Sequence, residues 1–549
     1  MNKRLIIISI LLSLFSTAVM AYISLATPIG PWIGPTLALF AVILFKLFGF
    51  HKNLVQQQSL AVTSGSIGGI IATACGFSFP TLYFLSPHEF NEMMSSPLYF
   101  CGVIGGLSLV AGGLGLYIAD LLERRLIIDQ KIPFPIGELM YEVIVSLENS
   151  MKKTYELLSG FLGATLFSML QDGFLGFKGF IPRIVTLIPA YSVGPIAIPP
   201  IIFDIWPIWW AIGYVSGYLI AVPLCVGFIS KLFVAQPINL LFFADMSASD
   251  FILAFGSGMV FSGALSSLIK LPKSIYKAVS AAHRGKKIDM LAVESNWETS
   301  KIVANLKNFL GTNKQIVSEG ALVVGMVVGY LSWMKFTLLE QGYLTVGTVI
   351  CSYQIVLIAG KTGLALLGRF ATFVLVPALF LFGITNMQVA LVSTFVEITG
   401  GVATDILVGR KIALLADIDR RVMRRYQILG LLVSAIALGI IFWLLINHFT
   451  LGSDQLFAQR AQARALLVSV QQFSTKVLLI GALFGEIIKR LGVNPMMVLG
   501  GLLMPINITL GLVFGGLIAA MSNDAQEYIP FWSGVFAANS LWMLTKALM

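Results

Sequence analysis

Charge is what this chain has least of. Asp, Glu, Lys and Arg make up 11% of its 549 residues, where an ordinary soluble domain carries about 25%. A folded protein of this length in water needs far more polar surface than that. The shortage excludes a soluble globule. A hydrophobic content of 57% and a mean hydropathy of +0.89 point instead to lipid as the main solvent. Cysteine is also scarce. Cys75, Cys101, Cys225 and Cys351 lie singly in apolar segments without a CxxC pair, which excludes a disulfide framework and a zinc-ribbon type of metal site. They read as small core residues. The four histidines, His51, His88, His283 and His448, fall in predicted loops far apart in the chain. No HExxH, Walker or GxSxG pattern occurs, so no enzyme, cofactor or metal constellation is visible. The glycine pairs at 105–106, 112–113, 400–401 and 515–516 lack the strand-to-helix setting of a nucleotide loop and read as close helix packing.

What the chain does have is a series of apolar runs separated by short basic loops. The formal net charge of +10 does not indicate nucleic acid, because the Lys and Arg residues collect between apolar segments in the positive-inside manner. Runs of spanning length fall at about 5–26, 31–50, 60–85 and 98–119. The start, MNKRLIIISILLSLFSTAVMA, has the layout of a signal peptide, but the run is long enough to span and more spans follow. It is expected to be a retained first helix. Basic residues at Lys3 and Arg4, at Lys46 and Lys52, and at Arg124, Arg125 and Lys131 alternate with a loop at 86–97 that has none. That pattern places both termini in the cytoplasm of a plasma or inner membrane.

Five apolar pieces follow, at 133–149, 156–171, 183–203, 206–229 and 250–270, between two basic flanks. An even number must cross, so one piece is expected to be re-entrant or a broken helix. IPRIVTLIPAYSVGPIAIPPIIFD (181–204), with five prolines, is the candidate. A basic segment from about 271 to 317, with the amphipathic stretch ESNWETSKIVANLKNFL, reads as a cytoplasmic linker. Further spans are expected near 318–338, 343–360, 370–384, 387–408, 427–447, 465–486, 495–520 and 530–548. The expected fold is an all-α polytopic membrane protein of about 14–16 transmembrane helices. Its two same-orientation halves, 1–270 and 318–549, contain broken or re-entrant segments, a layout many transporters use.

Carboxylates amid hydrocarbon are the candidate functional residues. One such group costs about 2.5–3.5 kcal/mol on insertion scales, so it faces a cavity or a partner. In QKIPFPIGELMYEVI (130–144), Glu138 and Glu142 stand four residues apart, on one face of a helix. Two close carboxylates push one pKa upward, which suits a proton carrier. The breaker IPFPIG just upstream places a helix N-terminus beside them. Glu397, in ALVSTFVEITGGVATDILVG, lies deep in an expected span. Asp172, Asp204, Lys361, Arg369, Asp405 and Glu486 are further charges within or near apolar runs.

These stretches resemble elements of the oligopeptide transporter (OPT) superfamily, which includes the yellow stripe-like metal-chelate transporters. KIPFPIGELMYEVI is similar to its "hPFPxGxxxAEVI" element and GFSFPTLYFL (76–85) to its "FTLPALY" element. AIGYVSGYLIAVPLCVGFIS (211–230), DFILAFGSGMVFSGALSSLIK (250–270), ATDILVGRKIALLADIDRRVMRRYQILG (403–430) and NPMMVLGGLLMPINITLGLVFGGLI (494–518) resemble four more, in the family's order. The resemblance implies secondary active import of oligopeptides, or alternatively of metal–chelate complexes, with protons, by alternating access. By position, Glu142 matches the Glu of "AEVI", Pro133 and Pro135 bracket the "PFP", and Gly137 is its Gly. Glu138 and Tyr141 stand where the pattern has small residues, and VGR and LADI replace "KTG" and "GATP" near Asp405. The expected site is therefore Glu142 as coupling carboxylate, Glu138 as its modulator, Tyr141, Pro133, Pro135 and Gly137 as the substrate-bordering element, and Glu397 as a second-half candidate. The expected partners are a small peptide or chelate, protons and membrane lipid, with a homodimer an allowed assembly. A channel or membrane receptor is the alternative of another class; it calls for a pore ring or a large soluble domain.

Overall fold

The computed structural model describes residues 3–259 and 314–548, less short stretches at 28–29, 31–32, 51–53, 150, 174–178, 190, 194–195, 199, 217, 249, 253, 363–364, 470–473, 494, 504–505 and 523–526. The described residues are helical almost throughout. Seven helices among the described residues are long and apolar enough to cross a bilayer, and Ser318–Trp333, Leu367–Phe382 and Ile506–Met521 are shorter apolar helices. The chain is an integral membrane protein. Of the expected linker at 271–317, only 314–317 is described, opening the Lys314–Trp333 helix; the amphipathic stretch lies outside the described residues.

The Asn386–Leu415 helix is the axis of the molecule, buried along its apolar length. Its start is fixed by a reciprocal cap. The Thr385 side chain accepts from the Gln388 backbone N–H, and the Gln388 side chain accepts from that of Thr385. Leu54–Ser78, Pro97–Glu123, Leu338–Thr362 and Leu367–Phe382 pack around it, and Lys3–Ala26 and Arg420–His448 complete this first bundle. Small residues allow the close fit. The Ser13 hydroxyl donates within its own helix to the Ser9 carbonyl at 2.8 Å and lies 3.2 Å from that of Ser64 across the interface.

A second bundle pairs Met151–Asp172 with Ile529–Leu548, Pro207–Ser216 with Ile506–Met521, and Tyr218–Ser230 with Pro495–Leu503. Packing thus does not follow chain order, because each bundle draws helices from both halves. In the second bundle the backbones touch. A Cβ on Gly213 would lie 2.1 Å from the Leu512 carbonyl oxygen, and one on Gly515 2.1 Å from that of Trp210. Gly227 and Gly501 make the same reciprocal approach to Val498 and Leu224. Only glycine permits this approach.

The proline-rich stretch 181–204 is non-helical as expected, but it is a ribbon rather than a broken helix. Ile184–Ile188 pairs antiparallel with Ile201–Asp204, and Tyr191–Val193 with Ile196–Ile198. The Ile, Val and Thr residues between the prolines favour extended backbone. Pro189 and Pro200 sit just outside the strands, where a missing N–H does no harm.

Candidate functional site

Three helix ends converge on the middle of the Asn386–Leu415 helix. The Leu54–Ser78 helix stops there because Pro80 has no N–H to continue the ladder, and the short Thr81–Leu85 helix restarts beyond it. The Leu367–Phe382 helix begins there, with no side-chain cap. The Gln459–Val468 helix also begins there without a side-chain cap, after Ala458 in the left-handed conformation (φ 50°). The Ala458 N–H donates to the Leu25 carbonyl at 2.7 Å, which anchors this start to the first helix. Gln459–Val468 lies between the bundles. It packs on Leu54–Ser78 and Thr81–Leu85 on one side and on Pro495–Leu503 on the other.

Glu397 sits at this junction with no solvent exposure. Arg464 Nη2 donates to its Oε1 at 2.5 Å. Arg464 Nη1 donates to Ser78 Oγ at 2.5 Å and lies 3.3 Å from the Phe77 carbonyl oxygen. One turn earlier on the same helix, the Arg460 guanidinium lies over the Phe77 ring, 4.1 Å from its centroid. A Cβ on Gly368 would lie 3.5 Å from Glu397 Oε1 and 3.7 Å from both Arg460 Nη1 and Arg464 Nη2. Two guanidiniums and the uncapped N-terminus of the Leu367–Phe382 helix therefore stand by one carboxylate. Glu397 Oε2 is buried and makes no hydrogen bond. A buried ion pair loses its hydration and is stable only with good geometry and further hydrogen bonds. The Ser78 and Phe77 contacts supply these for Arg464, while Glu397 keeps an open acceptor.

Two turns further along the same helix, Asp405 is buried and accepts from Ser66 Oγ at 2.7 Å. Beyond it, Arg410 joins Asp120 and Glu123 at 3.1 and 2.9 Å. Arg420 joins the same two acids, and Arg424 joins Asp120 and Glu319. A separate cluster adjoins the ribbon. Asp204 pairs with Arg183 at 3.5 Å and accepts from Trp209, while the Arg183 guanidinium stacks on Trp206. Nearby, Asp172 accepts from Trp542. Glu486 pairs with Lys489 and Arg490, and Arg369 is exposed. The Lys361 side chain lies outside the described residues.

The QKIPFPIGELMYEVI element lies elsewhere. Pro133 is exposed, Phe134 takes a left-handed backbone (φ 48°), and its N–H donates to the Gly360 carbonyl at 2.8 Å. Pro135 opens the Pro135–Asn149 helix, a position where its missing N–H costs nothing. Gly137 abuts the central helix, where a Cβ would be 3.1 Å from the Val408 carbonyl oxygen. Tyr141 is half-buried against the core. The Glu138 side chain is 44% exposed and pairs with Lys411 at 3.1 Å. Lys411 is fourteen residues from Glu397, or about 21 Å along the helix. The structure does not bring Glu138 and Glu397 together. Glu142 lies on the Pro135–Asn149 helix, and its side chain lies outside the described residues. Sequence reasoning missed Arg460, Arg464, Ser78 and Gly368. The signal was present in QRAQARALLV, which sets two arginines on one helical face.

A family model described as OPT oligopeptide transporter protein matches residues 1–533. The chain belongs to the OPT oligopeptide transporter family. Compared with curated proteins one at a time, it has no match. In this OPT chain, GFSFPTLYFL is the helix break that carries Phe77 and Ser78 into the cluster. NPMMVLGGLLMPINITLGLVFGGLI supplies the Pro495–Leu503 and Ile506–Met521 helices of the second bundle.

Proposed function

We propose that this OPT family member is a secondary active transporter that carries oligopeptides across the membrane by alternating access. A proton taken by Glu397 couples the cycle. The observation that carries the reading is the Glu397–Arg464 pair. It bridges the first bundle to the helix lying between the bundles, and its carboxylate has one oxygen engaged and one open. The ionised carboxylate holds Arg464 and ties the bundles together. Protonation cancels the attraction and frees Arg464, so the bundles move against one another. An interior ion pair of this kind is a two-state element that a proton and a cargo can both bias.

Glu142 remains a second coupling candidate on the Pro135–Asn149 helix, with Glu138 and Lys411 fixing that helix against the centre. The same reading takes the halves 1–270 and 318–549 as two parallel repeats in a plasma or inner membrane, with both termini cytoplasmic. The test is uptake of short peptides by the purified protein in liposomes under an imposed pH gradient. Gradient-driven accumulation in the wild type and its loss in Glu397→Gln support the reading. Equal leakage of all solutes without a gradient favours a channel and refutes it.

A further inference from the structure

We propose that the groove between the Pro97–Glu123 and Leu338–Thr362 helices holds one anionic phospholipid, with an acyl chain between the helices and the phosphate on Arg124 and Lys131. Both helices pack on the central Asn386–Leu415 helix but hardly on one another. The gap they leave is a half-open cavity of about 400 Å³. Both are long and apolar enough to span a bilayer. Leu121, Val349 and Ile350, on the cavity walls, are exposed at the molecular surface. In a span such a surface meets lipid tails.

The groove is set apart from a bare apolar face by an order along its length. Ile118, Leu121, Val349 and Ile350 form apolar walls, and Tyr353 and Gln354 come next on the Leu338–Thr362 helix and line the same cavity. Gln354 is only 5% exposed, and among the described residues neither of these two side chains makes a hydrogen bond. A buried amide without a partner is costly. The ester carbonyls of a phospholipid can accept from its N–H and from the Tyr353 hydroxyl. Six residues beyond Gln354, about 9 Å along the helix, Gly360 meets the connection that leaves the Pro97–Glu123 helix. The Phe134 N–H donates to the Gly360 carbonyl at 2.8 Å, and Ile132 and Phe134 lie against the Gly360 Cα. Two exposed cations stand on this connection. Arg124 follows Leu121 by three residues and so shares its face, and Lys131 adjoins Ile132. Among the described residues neither has an ion-pair partner. The one acid between residues 124 and 134 is Asp129, and the nearby Asp120 and Glu123 are already held by Arg410, Arg420 and Arg424. Apolar walls, a hydrogen-bonding pair and cations therefore succeed one another as tail, ester and phosphate do in an anionic phospholipid. A zwitterionic lipid offers the same tail and esters but sets its own cation against Arg124 and Lys131.

The experiment is native mass spectrometry of the purified full-length protein, stripped of lipid in detergent and given phosphatidylglycerol or phosphatidylcholine of identical chains. The thermal midpoint is read alongside. Wild type is expected to retain one phosphatidylglycerol at least about tenfold more tightly than phosphatidylcholine, and to melt higher with it. Arg124→Gln combined with Lys131→Gln should abolish the preference and leave the lipid-free midpoint unchanged, since both residues are exposed. Gln354→Leu should weaken both lipids alike. Ile350→Trp, at an exposed position, should fill the groove and block both, and Val349→Trp makes the same test from the neighbouring residue. If wild type retains the two lipids equally, or the double variant keeps the preference, the phosphate seat is wrong and the proposal falls. It falls too if both tryptophan variants keep full retention, because the chain then lies elsewhere. If they change the number of protein chains per particle and not lipid retention, the groove joins copies of the protein and the lipid site is refuted. The inference stands apart from the transport reading, which none of these outcomes touches.

Discussion

The molecule holds two arginine–carboxylate clusters on one helix, and they are built on opposite plans. At the end of the Asn386–Leu415 helix, three arginines (Arg410, Arg420, Arg424) meet three acids (Asp120, Glu123, Glu319). Each acid is held at least once within 3.1 Å. Three of the four contributing helices belong to the first bundle, and the fourth, Lys314–Trp333, packs against it. In the middle of the same helix, one acid meets two arginines, one of its oxygens is open, and the arginines come from the helix between the bundles. A balanced, multiply bonded cluster within one bundle acts as a clamp. An unbalanced one across a boundary can be released by a single proton. The difference shows that the number of ion pairs says little about role. What matters is whether the charges are balanced and which bodies they join.

Substitutions can break this contrast, beginning with the largest expected effect. Arg464→Met leaves Glu397 buried without its cation and should destabilise the protein by about 3–5 kcal/mol, read as loss of folded protein in detergent. Adding Glu397→Gln to Arg464→Met should recover much of that loss. Arg410→Gln removes a guanidinium from the balanced cluster while Arg420 and Arg424 remain. A smaller cost of about 1–3 kcal/mol and an unchanged KM are expected, from thermal unfolding and uptake kinetics. A large KM change there would erase the distinction between clamp and switch. Gly213→Ala drives a Cβ into the Leu512 carbonyl and should cost about 1–3 kcal/mol by forcing the second bundle apart.

Glu138→Gln removes a half-exposed pair with Lys411 and should cost under about 1 kcal/mol, with gradient-driven uptake retained. Loss of coupling in that variant would move the switch to the PFP element. The smallest effect belongs to Glu527, whose carboxylate the Lys152 ammonium holds below the usual glutamate range by a 2.8 Å hydrogen bond. A depressed carboxylate stabilises the fold fully above its ordinary pKa, and the gain is lost as pH falls through the lower folded value. Glu527→Gln should therefore lower the neutral part of a stability–pH curve slightly and flatten its acid limb, with no difference from wild type at low pH.

Much of this was legible in the sequence. The class followed from the lack of charge, the spans from long apolar runs, and Glu397 from a carboxylate deep in such a run beside paired glycines. The arginines facing it were not legible. QRAQARALLV is too polar and too short to read as a span, and its two arginines fell between the runs expected at 427–447 and 465–486. A polar helix at membrane depth is tolerated only when protein surrounds it, and hydropathy cannot register that enclosure. The ribbon at 181–204 was half legible. Five prolines excluded a regular helix, but a broken helix and an extended hairpin look alike until partners are known. The i, i+4 spacing of Glu138 and Glu142 gave a shared face without saying what it meets; Glu138 meets Lys411.

The most direct test follows proton entry evoked by peptide in liposomes containing the purified protein, alongside exchange of labelled for unlabelled peptide across the same membrane. The account predicts that wild type does both. Glu397→Gln should exchange peptide but bring in no protons with it. Peptide-evoked proton entry at the wild-type level in Glu397→Gln would contradict the assignment of Glu397 as the coupling group.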